Sequence, residues 1–227
     1  MIKTLNIWHK ITSYRFEFLL ISLVLLLFDK IFFTNSVFFT KVIWPLNMII
    51  LGVASVGIFS ERLKIIKWTK NMLFILSLII PLCFVHIVQF KLLTELSFAI
   101  YFIYYSIIFS EVLRQITKPT ETTLRVIYGS ISGFLLLIVI SQFAFLIIEY
   151  NIPHSFNGIS PGNIPFIYNQ LSYFSMVTLC TIGYGDITPI TETSRLATMF
   201  FAIIGQFYLI ALVGIIISRY NTKQNEF

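Results

Sequence analysis

Nine consecutive residues concentrate the chemistry of this 227-residue chain: Thr178, Leu179, Cys180, Thr181, Ile182, Gly183, Tyr184, Gly185 and Asp186. They form no acid–base pair and no nucleophile with a base beside it. They offer main-chain oxygen instead. Dehydrating an ion inside a membrane requires replacement oxygens, and backbone carbonyls supply them without titrating. Aiming successive carbonyls at one axis needs unusual backbone angles, often with positive φ, and Gly183 and Gly185 tolerate these without a Cβ clash. The chemistry such a run can perform is non-covalent coordination of a cation.

The elements that must position this run are membrane helices. Apolar residues make up 57% of the chain, aromatic residues 17% and charged residues 11%, against about 25% charged in a soluble domain. Mean hydropathy is +0.88. A fold of this size has too little interior to hide so much hydrocarbon, so the surface itself is apolar and the chain is read as an all-α integral membrane protein. Polar surface enzymes, nucleic-acid binders and disordered scaffolds are excluded at this step. A span needs about 20 apolar residues, and six segments qualify, at about 16–34, 41–59, 72–90, 95–112, 126–149 and 194–218. A seventh, 165–179, is too short to cross. Bounded by Asn163, a possible N-cap, and by the glycines from Gly183, it reads as a re-entrant helix.

The net charge of +6 comes from basic residues scattered between apolar runs, which is how topology is written. With a cytoplasmic N-terminus, Lys3, Lys10, Arg15, Arg62, Lys64, Lys67, Lys70, Arg114, Lys118, Arg125, Arg219 and Lys223 fall on the inner side, and Lys30, Lys41, Lys91 and Arg195 on the outer. Both termini are expected in the cytoplasm. Segment 150–164 becomes an external loop leading into the re-entrant helix. The first 28 residues imitate a signal peptide, but no small-residue cleavage site follows, so a retained first helix is expected. Only eight residues follow Arg219, and no ligand-binding domain is expected there. Cys83 and Cys180 suggest no disulfide framework.

The run Thr178–Asp186 resembles the selectivity filter of potassium channels, whose usual pattern is T-x-x-T-V/I-G-Y-G-D. The resemblance covers about 126–219: outer helix, turret, pore helix, filter and inner helix. It implies K+ ligands from the carbonyls of Thr181, Ile182, Gly183 and Tyr184, with the Thr181 hydroxyl at the inner end. One chain supplies one strand and a ring needs four, so a homotetramer in the plasma membrane is expected, with lipid around it and K+ as permeant ion. No cofactor, nucleic acid or enzymatic activity is implied. Tyr184 is expected to point off the axis into aromatic surroundings from Tyr173 and Phe174, where many relatives carry two Trp, with Tyr173 able to reach Asp186. The alternative is that both rings face lipid. Val177 stands where some relatives place a Glu, so filter stability is not carried over. Cys180 takes a place often held by Thr and is read as a small buried residue behind the filter, with a redox or metal site as the alternative. Four copies of Asp186 concentrate cations at the outer mouth, and the pore-helix dipole places negative charge toward the inner cavity. Gly205, 19 residues beyond Asp186, matches a gating-hinge glycine, with close packing on the pore helix as the alternative reading. Gly129 and Gly133 form a G-x-x-x-G at the inner end of the fifth span, read as a close helix contact.

Six spans with one pore loop also resemble voltage-gated channels, which need several basic residues along the fourth span. Segment 96–110 contains none, and Arg114 lies at its inner end. The chain therefore reads as residues 1–125, an uncharged four-helix bundle, residues 126–219, the pore, and residues 220–227, a cytoplasmic tail. Glu17, Asp29, Lys30 and Glu111, near span ends, are read as reaching the headgroups. His86 and Gln89 are read as hydrogen-bonding within the bundle, and Pro81 as kinking the third span. His9 and His154 are isolated. Rival readings are a weakly selective cation channel, which would lose the Tyr or second Gly of the filter, and a potassium transporter subunit, which would carry four pore loops. A non-conducting membrane sensor with a vestigial filter, and a membrane enzyme, complete the set.

Overall fold

The computed structural model describes residues 14–33, 38, 42–59, 68, 71, 72, 74, 75, 79, 91–117 and 123–224. Pro81, Cys83, His86 and Gln89 of the third expected span lie outside them, as do His9 and the basic residues Arg62, Lys64, Lys67 and Lys70. The described elements are α1 (Arg15–Phe28), continued by a 3₁₀ turn at Asp29–Ile31, then α2 (Trp44–Ile58), α3 (Lys91–Ile116) and α4 (Thr123–Asn151). They are followed by β1 (Phe156–Asn157), α5 (Ile164–Leu179), β2 (Thr188–Pro189) and α6 (Glu192–Gln224). Among the described residues, three helices are long and apolar enough to cross a bilayer: α3, residues 124–151 of α4 and residues 192–212 of α6. At 14 and 15 residues, α1 and α2 are shorter than the spans expected there. Helix α6 continues past Arg219 to Gln224, into the expected tail.

Helix α4 is the hub. It packs on α1, α3, α5 and α6, so α1 and α3 lie against the segment of the same chain expected to form the pore. The small residues expected at its inner end permit this. A Cβ at Gly129 would collide with Ile116 and crowd Phe16, and one at Gly133 would overlap the Tyr208 hydroxyl, which donates to the Ser130 carbonyl at 2.8 Å. In lipid, where apolar surface gains little by burial, such close backbone approach supplies much of helix association.

Midway along α4, Phe143 stacks on Tyr101 and Tyr105 of α3, with ring centroids 5.2 and 5.5 Å apart. Its far edge meets Tyr168 of α5 at 5.7 Å. Tyr104, beside Tyr105 at 5.6 Å, shares a 2.8 Å hydrogen bond with Ser55 of α2. An aromatic path thus joins α3 through α4 to α5, and the Ser55 hydrogen bond ties it to α2.

Two acids expected at the headgroups are buried and paired instead. Asp29 is 5% exposed and accepts from Asn47 Nδ2. Glu111 is 3% exposed and holds Arg114 through both carboxylate oxygens, with Gln115 Nε2 donating to it at 2.7 Å. Gln115 Nε2 also donates to the Ile58 carbonyl, one of the acceptors that the end of α2 leaves without an intrahelical donor. A buried carboxylate without such partners would be strongly disfavoured. Residues near a span end can therefore face inward as readily as outward.

Candidate functional site

The short helix α5 starts where the sequence places its cap. Asn163 is extended, and its Oδ1 accepts from Phe166 N at 3.2 Å. Pro165 sits in the first turn, where its missing N–H costs nothing. The helix ends at Leu179, and the main chain then turns back on it. Cys180 N donates to Met176 O (2.9 Å) and Thr181 N to Thr178 O (3.0 Å). Ile182 N and Gly183 N share Val177 O, at 2.9 and 3.1 Å. Every amide from 180 to 183 is thereby tied to the C-terminal carbonyls of α5.

In this stretch φ is positive at alternate residues: +59° at Thr181, +55° at Gly183 and +80° at Gly185. Alternating the sign of φ turns successive peptide units to the same side, rather than to opposite faces as in a strand. With the amides committed to α5, the carbonyls are left for the other side. No protein atom lies within 4 Å of a Cβ built at Gly183 or Gly185, so conformation, not space, demands glycine there. Thr181 has no such freedom. A β-branched residue at positive φ is an outlier costing on the order of 1–3 kcal/mol, sustained here by the amide bonds on either side. Residues 181–186 are all exposed on the single chain.

The outer end is fastened by side chains. Tyr173 Oη donates to Asp186 Oδ2 at 2.7 Å. That bond, with the nearby charge, raises the Tyr173 phenol above its ordinary 10.0, so the proton that makes the bond is held until alkaline pH exceeds the usual tyrosine range. At this exposed position water competes for both partners, so the bond contributes less than a buried one would. On the expectation that residues 181–184 coordinate K+, Tyr173→Phe should make K+ flux through liposomes decline faster at constant gradient. An unchanged decline would remove the bond from filter stability.

Phe174 does not join Tyr184. It is 4% exposed, packed among Phe145 and Phe156 at 5.3 and 5.2 Å, and Tyr184 is 70% exposed. Phe174 therefore faces neither lipid nor, within one chain, the filter tyrosine. Cys180 is partly buried behind the filter with a free thiol. The Val177 side chain is buried. Gly205 is buried against α5: a Cβ there would stand 3.1 Å from Leu179 Cγ. Helix α6 is continuous through it, and the close-packing alternative describes these contacts.

Several positioning groups carry no sequence signal. Glu149, at the end of α4, accepts from His154 N and Phe156 N at 2.9 and 3.1 Å, holding His154 at φ +63°. Gln170 of α5 clips the loop by exchanging hydrogen bonds with the Ser160 amide and carbonyl, at 2.8 and 3.1 Å. The Ser155 carbonyl accepts from Ile190 N and Ser194 Oγ, both at 2.8 Å. Antiparallel pairing of β1 with β2 joins the loop to the segment after the filter. Gly158 lies so close to the Asp186 carbonyl that any Cβ would overlap it. Among the described residues no group of three or more His, Cys, Asp or Glu could hold a metal. The ligands on offer are carbonyls.

Residues 134–221 match the family described as Ion channel. The chain is similar to Two-pore potassium channel 3 of Arabidopsis thaliana, 32% identical over 115 residues that make up 48% of this chain and 23% of the relative. It also resembles Two-pore potassium channel 4 of the same plant, 28% identical over 110 residues (48% and 39%). Voltage-gated potassium channel Kch of Escherichia coli (strain K12) is 31% identical over 106 residues (46% and 22%). The chain thus matches well under half of the length of each of these relatives. No solved structure matches it. The matched region takes in most of α4, all of α5, the amide-anchored turn and most of α6, and over it the chain resembles ion channels, these potassium channels among them.

Proposed function

We propose that the chain is one of four identical subunits of a K+-selective channel of the plasma membrane, with six spans, both termini cytoplasmic and ions flowing passively down their gradient. The observation that carries this reading is the geometry of residues 180–186. Amides bonded to α5 and a φ that is positive at 181, 183 and 185 leave the carbonyls of Thr181, Ile182, Gly183 and Tyr184 to coordinate the dehydrated ion, with the Thr181 hydroxyl below. Four copies close the ring. The α5 dipole and the Asp186 carboxylates favour cations at its two ends. Gly205 is the proposed bending point of α6.

Gating by a charged sensor is not part of this reading. Helix α3 carries no basic residue between Lys91 and Arg114, and Arg114 is held by Glu111. Moving several charges through the field is what makes opening steeply voltage-dependent. The function involves no cofactor and no covalent chemistry.

Purified protein in liposomes, with K+ on one side and Na+ on the other, should give a reversal potential close to the K+ equilibrium value. Equal permeation of the two ions would make it a weakly selective cation channel. Absence of current from a cross-linked, verified tetramer over a range of voltage, pH and lipid would favour the non-conducting sensor.

A further inference from the structure

Among the described side chains midway along α6, Gln206 is a polar group that the channel reading leaves unused. Between Arg195 and Arg219, α6 is apolar except for Thr198, Gln206, Tyr208 and Ser218. The Thr198 hydroxyl donates to the Ser194 carbonyl at 2.7 Å and the Tyr208 hydroxyl to Ser130 O at 2.8 Å. Gln206 is exposed. It sits mid-helix, one residue beyond Gly205, which packs on Leu179 at the base of the filter turn.

Its direction follows from helix geometry. The side of α6 that presses on α4 is marked by Phe201, 5.6 Å from Phe145, and by Tyr208, 6.1 Å from Phe134. At about 100° per residue, Gln206 projects about 140–160° away from both. It therefore leaves the helix on the side facing away from α4. A primary amide placed in hydrocarbon forfeits its hydrogen bonds to water with nothing to replace them. Polar side chains at this depth accordingly face a bundle interior or a water-filled cavity.

Resting on the tetrameric reading above, we propose that Gln206 lines the aqueous vestibule beneath the filter, where four uncharged amides keep an otherwise apolar chamber wet and hydrate the K+ waiting to enter. The neighbouring exposed residues of α6 are bulky and apolar: Ile203, Phe207 and Ile210. A constriction lined only by such groups conducts poorly because it dewets. The amide oxygens accept from water or face the cation directly, and the amide nitrogens donate to water. Because the amide does not titrate, the ring works at any physiological pH.

Single-channel recording tests this. Gln206→Leu should lower unitary conductance several-fold without moving the K+/Na+ reversal potential, and Gln206→Asn should restore most of it. Gln206→Cys should become sensitive to a charged, water-soluble thiol reagent applied from the inside, with the unsubstituted chain as background for Cys180. A Leu variant conducting like the parent, or a Gln206→Cys channel that conducts but never reacts, would place Gln206 between subunits and overturn the inference, while the selective current of the parent would leave the channel reading intact. A parent that does not select K+ would overturn both.

Discussion

Gly183→Ala is expected to abolish K+ selectivity while leaving the helices folded. The position has φ +55° and open space around it, so the methyl group meets no neighbour within the chain. The effect is conformational. A left-handed backbone costs an L-residue with a Cβ about 1–2 kcal/mol, which the proposed tetramer would multiply to about 4–8 kcal/mol against the proposed arrangement of inward carbonyls. Relaxation to negative φ would turn a peptide unit, withdraw one ring of oxygens and release an amide from Val177 O. The bi-ionic reversal potential should move toward zero, or flux should cease, while helical content by circular dichroism and the tetramer band remain. Full selectivity in that variant would show that coordination does not depend on the φ alternation at 181, 183 and 185.

What could be read in the sequence follows from how each residue reports its surroundings. Gly183 and Gly185 declare their backbone conformation by type, and Asn163 followed by Pro165 declares a helix start, so α5 and the turn after it fall within a residue or so of the expected 165–179. Thr181 gives the opposite signal. Its type argues against positive φ, and only the amide bonds to α5 explain why it is there. The clips made by Glu149, Ser155 and Gln170 join residues on separate loops and helices, with no periodicity to announce them. Asp29 and Glu111 mislead because distance from a span end says nothing about which way a side chain faces; Asn47, Arg114 and Gln115 make their burial tolerable. Phe174 misleads for a related reason. An aromatic next to Tyr173 suggests a common role, but adjacent helical positions point about 100° apart, and Phe174 turns to Phe145 and Phe156.

Phe143→Ala tests whether the N-terminal bundle supports the filter. The ring is 1% exposed, sandwiched against Tyr101 and Tyr105 at interplanar angles of 25° and 24° and edge-on to Tyr168. Its removal opens a cavity where α3, α4 and α5 meet. Phe→Ala in a packed core costs about 3–5 kcal/mol, and the lower part of that range is expected here, since in a membrane the loss is of packing contacts more than of transfer from water. Thermal melting in detergent should fall well below that of the parent, and Phe143→Leu should recover much of it. The informative comparison is with Phe59→Ala, also buried, at 2% exposure, but at the C-cap of α2, a helix whose principal contacts are with α1 and α3. If the aromatic path transmits order to the filter, Phe143→Ala should accelerate the decline of K+ flux at temperatures where both proteins remain assembled, and Phe59→Ala should not. Equal behaviour of the two would mean that the bundle stabilises the subunit without setting the filter. Tyr168 is the reason to expect the asymmetry: it sits on α5, whose last carbonyls hold the amides of residues 180–183, so a shift of this helix would move every carbonyl proposed as an ion ligand.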